Sequence, residues 1–253
     1  MSTYQICFSP TGGTKKVSEY LSRQLNEDSI NIDLTDRKRD FRDIALTGND
    51  IAVIAVPSYG GRVPAPAVER IKQIQGNGAK AIIVCVYGNR AYEDTLAELL
   101  DCTQQAGFSA IAAVAAIAKH SIANRYAANR PDTDDYKQLH TFAERIAEKL
   151  HNRNFTTPSI PGNRPYKKSG NVGIVPHITK SCTRCGICAA LCPVGAIDPE
   201  NPAIVNKKIC ISCMRCLHVC PHNARKANKL MTSIANIMLR KACSIRKECE
   251  LYI

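Results

Sequence analysis

Short apolar runs alternate with longer segments of helical periodicity along the first 150 residues of the chain. A short apolar run lies at residues 4–9, and two continuous ones lie at residues 51–56 and 81–86; continuous runs are typical of strands buried on both faces of a parallel sheet. Between them, apolar side chains recur every three or four positions, which predicts amphipathic helices. We predict strands at residues 4–9, 30–34, 51–56, 81–86 and 108–116, and helices at residues 14–25, 66–74, 91–102 and 132–150.

This alternation indicates βαβ units with right-handed crossovers, and hence an α/β fold with a five-stranded parallel sheet. Two assignments stay open. Residues 108–116 are rich in alanine and fit a helix as well as a strand, and the charged segment 36–45 fits a short helix or a loop. In a sheet of this kind, ligands bind at the carboxyl ends of the strands.

The pattern changes after residue 151. Residues 152–176 contain four prolines and three glycines and predict a linker. Residues 177–226 hold an internal repeat, so we expect a second, smaller domain there, after a first domain at residues 1–151. The tail, 227–253, places Leu230, Ile234, Ile237 and Met238 at helical spacing. It predicts a helix that packs back on one of the domains.

Charge and cysteine divide the 253 residues in the same way. Residues 1–150 carry 18 basic and 18 acidic side chains, whereas residues 151–253 carry 16 basic and 4 acidic ones, which accounts for the whole net charge of +12. Ten of the thirteen cysteines lie in that basic part. The N-terminus lacks the pattern of a signal peptide, and no apolar run is long enough to span a membrane. We therefore expect a cytoplasmic protein whose cysteines bind metal instead of forming disulfides.

The strongest motif is a cysteine repeat. Four cysteines at spacings of three, three and four residues are followed by proline, and the pattern recurs 28 residues later. Thiolates at this spacing suit iron–sulfur clusters. Structural zinc and a disulfide knot are the alternatives, but zinc sites favour paired C-x-x-C motifs. The repeat comprises Cys182, Cys185, Cys188 and Cys192, then Cys210, Cys213, Cys216 and Cys220.

This part of the chain resembles bacterial two-cluster [4Fe-4S] ferredoxins, which have a small α+β fold. The resemblance implies crossed ligation, in which the fourth cysteine of each run binds the other cluster. One cluster would use Cys182, Cys185, Cys188 and Cys220, and the other would use Cys210, Cys213, Cys216 and Cys192. Arg225 departs from the family, which usually has an apolar residue there, and would place a positive charge near a cluster. Cys243 and Cys249 belong to neither run and are expected to be free thiols.

A second motif follows the first predicted strand and opens a helix. Its glycines let the backbone wrap an anion, its hydroxyls can donate hydrogen bonds, and the helix N-terminus adds a favourable dipole. A plain turn is the alternative. Two later loops, after the third and fourth strands, combine an aromatic residue with glycine, as suits stacking on a flat ring. The three loops contain Ser9, Thr11, Gly12, Gly13 and Thr14; Ser58, Tyr59, Gly60 and Gly61; and Tyr87, Gly88, Asn89, Arg90 and Tyr92.

These loops resemble those of flavodoxins, and the whole chain resembles the flavodoxin–ferredoxin fusion family. The resemblance implies strand order 2-1-3-4-5, FMN bound by its phosphate at the first loop, and an isoalloxazine ring flanked by the other two. Gly88-Asn89-Arg90 replaces the usual Gly-Asp pattern of the last flavodoxin loop. Arg90 could lie near the flavin, where positive charge would raise its potential, or in solvent. His120 follows the fifth strand and is a candidate proton donor, or an ordinary loop histidine.

The leading functional hypothesis is intramolecular electron transfer between two [4Fe-4S] clusters and FMN, and onward to a redox protein, which the basic second half predicts to be acidic. The alternative is a ferredoxin-dependent reductase with a small substrate between Tyr59, Tyr92 and His120. Nucleic-acid binding is a third, weaker hypothesis, because the basic residues are scattered and lack interleaved aromatics. The sequence leaves the oligomeric state open.

Overall fold

A computed structural model describes residues 1–168, 170 and 173–253 of the chain. Eight strands and seven helices are defined within these residues. The strands are β1 Thr3–Cys7, β2 Ser29–Asp33, β3 Ile51–Pro57, β4 Lys80–Tyr87, β5 Ser109–Ile117, β6 His177–Ile178, β7 Arg225–Lys226 and β8 Glu250–Tyr252. The helices are α1 Gly13–Leu25, α2 Ala65–Ile71, α3 Thr95–Gln105, α4 Thr133–His151, α5 Ile187–Ala190, α6 Arg215–His218 and α7 Lys229–Cys243.

The first five strands form a parallel sheet in the order β2-β1-β3-β4-β5, which confirms the predicted fold class. All seven residues of β3 are buried, as its uninterrupted apolar sequence predicts. The alanine-rich segment is a strand that pairs with β4, and eight of the nine residues of β5 are buried.

The helices largely follow their sequence signals. The stripe of α1 buries Val17 and Leu21 against the sheet. Asp132 caps α4 by accepting hydrogen bonds from the backbone of Asp134 and Asp135, as its position before the apolar stripe predicts. The predicted helix at residues 91–102 begins later, at Thr95, because residues 91–94 turn over the end of β4 instead. The charged segment 36–45 contains no helix.

The tail corrects the sequence-based expectation of a purely helical segment. Helix α7 is present, but β8 follows it and pairs antiparallel with β5, so the sheet has six strands among the described residues. Leu251 of β8 lies opposite Val114 in the middle of β5. Three residues are too short to show strand periodicity, which is why the sequence pattern did not reveal this pairing. The end of the chain is thus anchored in the N-terminal sheet.

The cysteine-rich part is a small α+β unit. Strands β6 and β7 pair antiparallel, and α5 and α6 each lie within one of the two cysteine runs. Arg70 links this unit to the sheet domain by donating hydrogen bonds to the carbonyls of Leu34 and Pro193, both at 2.6 Å. Within the described residues, no helix has both the length and the apolarity needed to cross a lipid bilayer.

Candidate functional site

A cavity of about 380 Å³ opens at the carboxyl ends of the parallel strands. This is the edge at which an α/β sheet presents its ligand-binding loops, and the volume lies within the range of small-molecule sites. Nine of the predicted cofactor residues line it, together with His120. They are Thr11, Gly13 and Thr14 after β1, Ser58, Tyr59 and Gly60 after β3, and Tyr87, Gly88 and Arg90 after β4.

The loop after β1 is shaped for an anion. Gly12 has φ +87°, a left-handed conformation that glycine adopts without strain. The Ser9 hydroxyl accepts a hydrogen bond from the amide of Lys15 at 2.9 Å and so caps the first turn of α1. The amides of Gly13 and Thr14 begin the helix, where backbone N–H groups have no intrahelical acceptor. No acidic residue lies in this first turn, so a phosphate would fit the loop.

Tyr59 and Tyr87 line the cavity, and the loop that carries Tyr59 is a tight turn. Tyr59 and Arg62 exchange two backbone hydrogen bonds, at 3.0 and 3.2 Å, across a turn formed by Gly60 and Gly61. Gly61 is required there, because a Cβ would lie only 1.8 Å from a carboxylate oxygen of Glu93. Burial raises the pKa of Tyr59, with a smaller contribution from Cys213. The aromatic residue of this loop therefore lies between the cavity and the cysteine-rich unit.

The other predicted cofactor residues of the β4 loop lie elsewhere. The Asn89 side chain donates to the carbonyls of Cys243 and Ile245, at 3.0 and 2.9 Å, and accepts from the amide of Lys247. Asn89 therefore anchors the tail and does not line the cavity.

Tyr92 is likewise used by the tail. Its hydroxyl donates to a Glu250 carboxylate oxygen at 2.8 Å and bonds the hydroxyl of Tyr252 at 2.7 Å. The Arg90 guanidinium pairs with Glu93 at 2.9 Å, which offsets its charge although the residue borders the cavity. The partners of Asn89 and Tyr92 lie at residues 243–252, near the end of the chain. The local sequence around the β4 loop therefore carried no signal for them.

His120 has a defined protonation state. Its Nδ1 accepts hydrogen bonds from the amides of Ile122 and Ala123, at 3.2 and 3.1 Å. Burial, with a contribution from Arg90, lowers the pKa of His120 to about 4. At neutral pH the ring is therefore uncharged and carries its proton on Nε2. His120 is therefore a neutral hydrogen-bond donor at the cavity wall. It is not a charged imidazolium that would act as a strong acid.

The eight cysteines of the repeat lie around two separate cavities. One, the outer site, is lined by Cys182, Cys185, Cys188 and Cys220, and the other, the inner site, by Cys192, Cys210, Cys213 and Cys216. Each site takes its fourth cysteine from the other run. This is the same grouping that the ferredoxin resemblance implied.

Local backbone geometry suits thiolate ligands at both sites. Gly186 and Met214 adopt left-handed conformations at corresponding positions, and each begins a short helix. Backbone amides point at sulfur, from Ala196 to Cys192 at 3.3 Å and from Ala224 to Cys220 at 3.2 Å. Four sulfurs around one small cavity, with amide donors aimed at them, fit a cubane cluster better than isolated thiols.

Acidity differs between the cysteines of the two sites. Burial raises the pKa of Cys213 and Cys216 to about 12, so their thiolate form requires a bound metal. At Cys220 burial acts in the same direction, but amide donors from Ala224 and His222 outweigh it and the pKa is lowered. The thiol of Cys220, in the outer site, is therefore more acidic than those of Cys213 and Cys216 in the inner site.

The inner site is adjacent to the cavity at the carboxyl ends of the parallel strands, which we call the sheet cavity. Ile211, which separates two ligands of the inner site, lines both cavities, and Ser212 lines the sheet cavity. Arg215 extends from the inner site to within 3.5 Å of the carbonyl of Ser9 in the anion loop. Sequence reasoning did not identify these residues as part of a shared wall, because they meet only when the two parts of the chain fold together.

Helix α7 covers part of the same cavity. Ala235, Met238 and Leu239 line it, and the hydroxyl of Tyr126 donates to the carbonyl of Asn236 at 2.6 Å. Cys243, at the end of α7, is buried, and its thiol lies 3.8 Å from the carbonyl of Gly88. The tail thus contributes a wall to the cavity, whereas its sequence pattern predicted only packing.

Comparison with known proteins agrees with this arrangement in the C-terminal part. Residues 180–239 match the family described as 4Fe-4S dicluster domain. The chain is 35% identical over 65 residues to a tetrathionate reductase subunit of Archaeoglobus fulgidus. That alignment covers 25% of this chain and 31% of the relative, so the chain spans about a third of the length of this curated protein.

Two solved flavodoxins align with the N-terminal part. The flavodoxin of Streptococcus pneumoniae TIGR4 has 18% identity and a TM-score of 0.42, covering 59% of this chain and 99% of the flavodoxin. A short-chain flavodoxin associated with a PDU bacterial microcompartment has 17% identity and a TM-score of 0.40, covering 58% and 99%.

The sheet order and the family match together define the molecule. A five-stranded parallel sheet in the order 2-1-3-4-5 is that of flavodoxin-like folds. The cysteine-rich part matches a 4Fe-4S dicluster domain. The chain therefore combines a parallel sheet of flavodoxin-like strand order with a C-terminal part that matches a 4Fe-4S dicluster domain.

Proposed function

We propose that this chain holds FMN in the sheet cavity and a [4Fe-4S] cluster at each cysteine site, and transfers electrons between them and a protein partner. One observation carries the proposal: Ile211 lines both the inner site and the sheet cavity. Two redox sites that share a wall can exchange electrons without a diffusing carrier. FMN exchanges one or two electrons and each cluster exchanges one.

The protein's own residues would bind and orient the flavin. Gly13, Thr14 and the helix dipole of α1 would hold the phosphate, and Arg215 lies close enough to the loop to add positive charge. Tyr59 and Tyr87 would contact the ring, and α7 would shield it from water. His120 would donate a hydrogen bond from Nε2 to an acceptor on the ring or substrate.

The placement of the two cysteine sites supports an order of electron transfer through the protein. The inner site adjoins the flavin cavity, while Cys185 of the outer site is exposed. An external partner would therefore exchange electrons at the outer site, and the inner site would connect that site to the flavin. The cysteines would stay reduced in a compartment such as the cytoplasm, where disulfides are rare.

The surface near the outer site supports an acidic partner. Arg184 lies between two ligands and is exposed, and Lys180 precedes them. Ile187 and Leu191 are 38% and 42% exposed, which adds an apolar centre to this basic patch. Two clusters would bring about −4 to this half of the chain, leaving it near +8. Such a surface would attract an acidic redox protein.

We also propose a domain division at residues 1–151, 152–176, 177–226 and 227–253, with the last segment functioning with the first. The linker packs against the sheet domain, where Arg164 pairs with Asp101 of α3 at 2.6 Å. Strand β8 returns the tail to the same sheet. This division would make the flavin site depend on both ends of the chain.

Reduction of a small substrate over FMN remains a second candidate, because His120 offers a neutral donor at the cavity wall. Steady-state assays with reduced ferredoxin and a panel of small metabolites would test it. Turnover that disappears in His120→Ala, with FMN still bound, would favour this candidate. Absence of turnover alongside fast electron exchange between clusters and flavin would favour the carrier.

Anaerobic reconstitution followed by iron and flavin analysis tests the proposal. We expect about eight irons per chain, for two four-iron clusters, and one FMN. Four irons, or flavin that does not bind, would contradict the cofactor assignment. Zinc in place of iron after expression in iron-replete medium would contradict it as well.

A further inference from the structure

One buried cation touches both cysteine sites. Arg225 is 2% exposed and lines the outer and the inner cavities. It lies on β7, directly after the alanine whose amide donates to Cys220. No other arginine among the described residues lines both cavities. The guanidinium is therefore placed between the two cluster positions.

Arg225 also lacks an anionic partner. Its Nη1 donates to the carbonyl of Pro176 at 3.2 Å and its Nη2 donates to the carbonyl of Pro202. Its Nε is buried without a hydrogen-bond acceptor. It forms no ion pair with any described residue, whereas Arg130, which is also buried, pairs with Asp135. A buried charge without compensation is strongly unfavourable.

The missing negative charge would come from the clusters. A [4Fe-4S] cluster with four cysteine thiolates carries about −2 when oxidised and about −3 when reduced. A nearby buried cation stabilises the more negative state more strongly, because little water screens the interaction. We propose that Arg225 is a shared counter-cation that raises the reduction potentials of both clusters. In this step each cluster gains one electron from the redox partner, and no bond forms or breaks.

This inference depends on the proposed pair of clusters but not on the flavin. The test is a potentiometric titration of anaerobically purified holoprotein, followed by electron paramagnetic resonance. Arg225→Met removes the charge and keeps most of the side-chain volume. Both clusters should become harder to reduce by at least tenfold in the equilibrium constant, which corresponds to about 59 mV for each one-electron couple.

Two controls separate charge from packing. Arg225→Lys keeps the charge and should leave both potentials near those of the wild type. Arg184→Met removes an exposed arginine beside the outer site, where solvent screens it, and should shift neither potential by a comparable amount. Unchanged potentials in Arg225→Met with full iron content would overturn the inference. Wild-type protein without two clusters would instead contradict the proposed function.

Failure of cluster assembly would also be decisive. If Arg225→Met loses iron while Arg225→Lys assembles both clusters at wild-type potentials, the charge is required and the inference stands. If both variants lose their clusters to the same extent, Arg225 acts through its shape and hydrogen bonds to Pro176 and Pro202. That result would overturn the electrostatic role.

Discussion

Single residues decide how the sheet cavity recognises a ligand. Gly12 and Gly13 give the anion loop its conformation, and a Cβ on Gly13 would lie 3.1 Å from the Cβ of Ala118. The turn they form was predictable, because glycine and hydroxyl residues between a strand and a helix have a known geometry. The partners of Asn89 and Tyr92 were not predictable, since they lie about 150 residues further along the chain.

Substituting Gly12 tests the anion loop. Gly12→Asp places a carboxylate beside the bound phosphate, and two like charges about 4 Å apart near a surface repel by about 4 kcal/mol. We expect FMN affinity to fall by roughly a hundredfold or more, with iron content unchanged. Gly12→Asn is the matched control, because it adds the same bulk without charge. Equal losses in both variants, measured by flavin fluorescence titration, would show that the charge is irrelevant.

The acidity of His120 gives a pH prediction. Its folded-state pKa of about 4 lies below the unfolded value of 6.5. The unfolded chain therefore binds more protons between these values, so the contribution of His120 to stability is complete above pH 6.5 and is lost as the pH falls towards 4. We expect the thermal midpoint of the wild type to fall more steeply in this interval than that of His120→Asn. Parallel curves would contradict the lowered pKa.

Cys185 tests whether the outer site holds a cluster of its own. Cys185→Ala should remove the outer cluster, about four irons per chain, and leave FMN bound, because the outer site does not border the sheet cavity. Cys102→Ala, which changes a buried cysteine outside the repeat, should retain full iron. Iron and flavin analysis distinguishes these outcomes. Loss of FMN in Cys185→Ala would mean that the two parts do not assemble independently.

At the scale of elements, apolar periodicity predicted the parallel sheet and the main helices. Strands β3 and β4 were recognisable because they are buried on both faces. Strand β8 was not, because three residues are too few to show a period and its partners, β5 and Tyr92, lie far away in the sequence. Helix α7 was predicted, but its position over the cavity depends on the anchors at Asn89 and Tyr126.

Releasing the tail tests whether α7 shields the flavin. Asn89→Gly removes the hydrogen bonds to Cys243, Ile245 and Lys247, and glycine tolerates the φ of 64° at this position. Each lost hydrogen bond destabilises the closed tail by about 1 kcal/mol. We expect faster FMN dissociation, by roughly tenfold or more, with both clusters retained. Asn26→Ala, at the distant end of α1, is the control, and equal dissociation rates would contradict the proposed role of α7.

At the scale of the whole molecule, the charge is unevenly divided. The first 150 residues are neutral and the rest carry the full +12, and the exposed Cys185 lies in the basic part. Composition alone reveals this asymmetry. Composition does not reveal that the inner site lies next to the sheet cavity, because this depends on how the two parts of the chain pack.

This asymmetry predicts salt-dependent association with a redox partner. Electron exchange with an acidic ferredoxin should slow as ionic strength rises from about 0.01 to 0.15 M, over which the Debye length falls from about 30 to 8 Å. Charge reversal at Arg184, by Arg184→Glu, should reduce the rate at low salt more than Arg23→Glu on α1 does. A rate independent of salt would leave the basic surface without a role in partner binding.

The central claim is that clusters and flavin exchange electrons within one chain. The most direct measurement is stopped-flow reduction of the holoprotein by a substoichiometric one-electron donor, with flavin absorbance followed at several protein concentrations. We predict a first-order flavin phase whose rate constant is independent of protein concentration, because Ile211 and Ser212 place the inner site against the sheet cavity. A flavin phase that accelerates in proportion to protein concentration would show transfer between molecules and contradict the account.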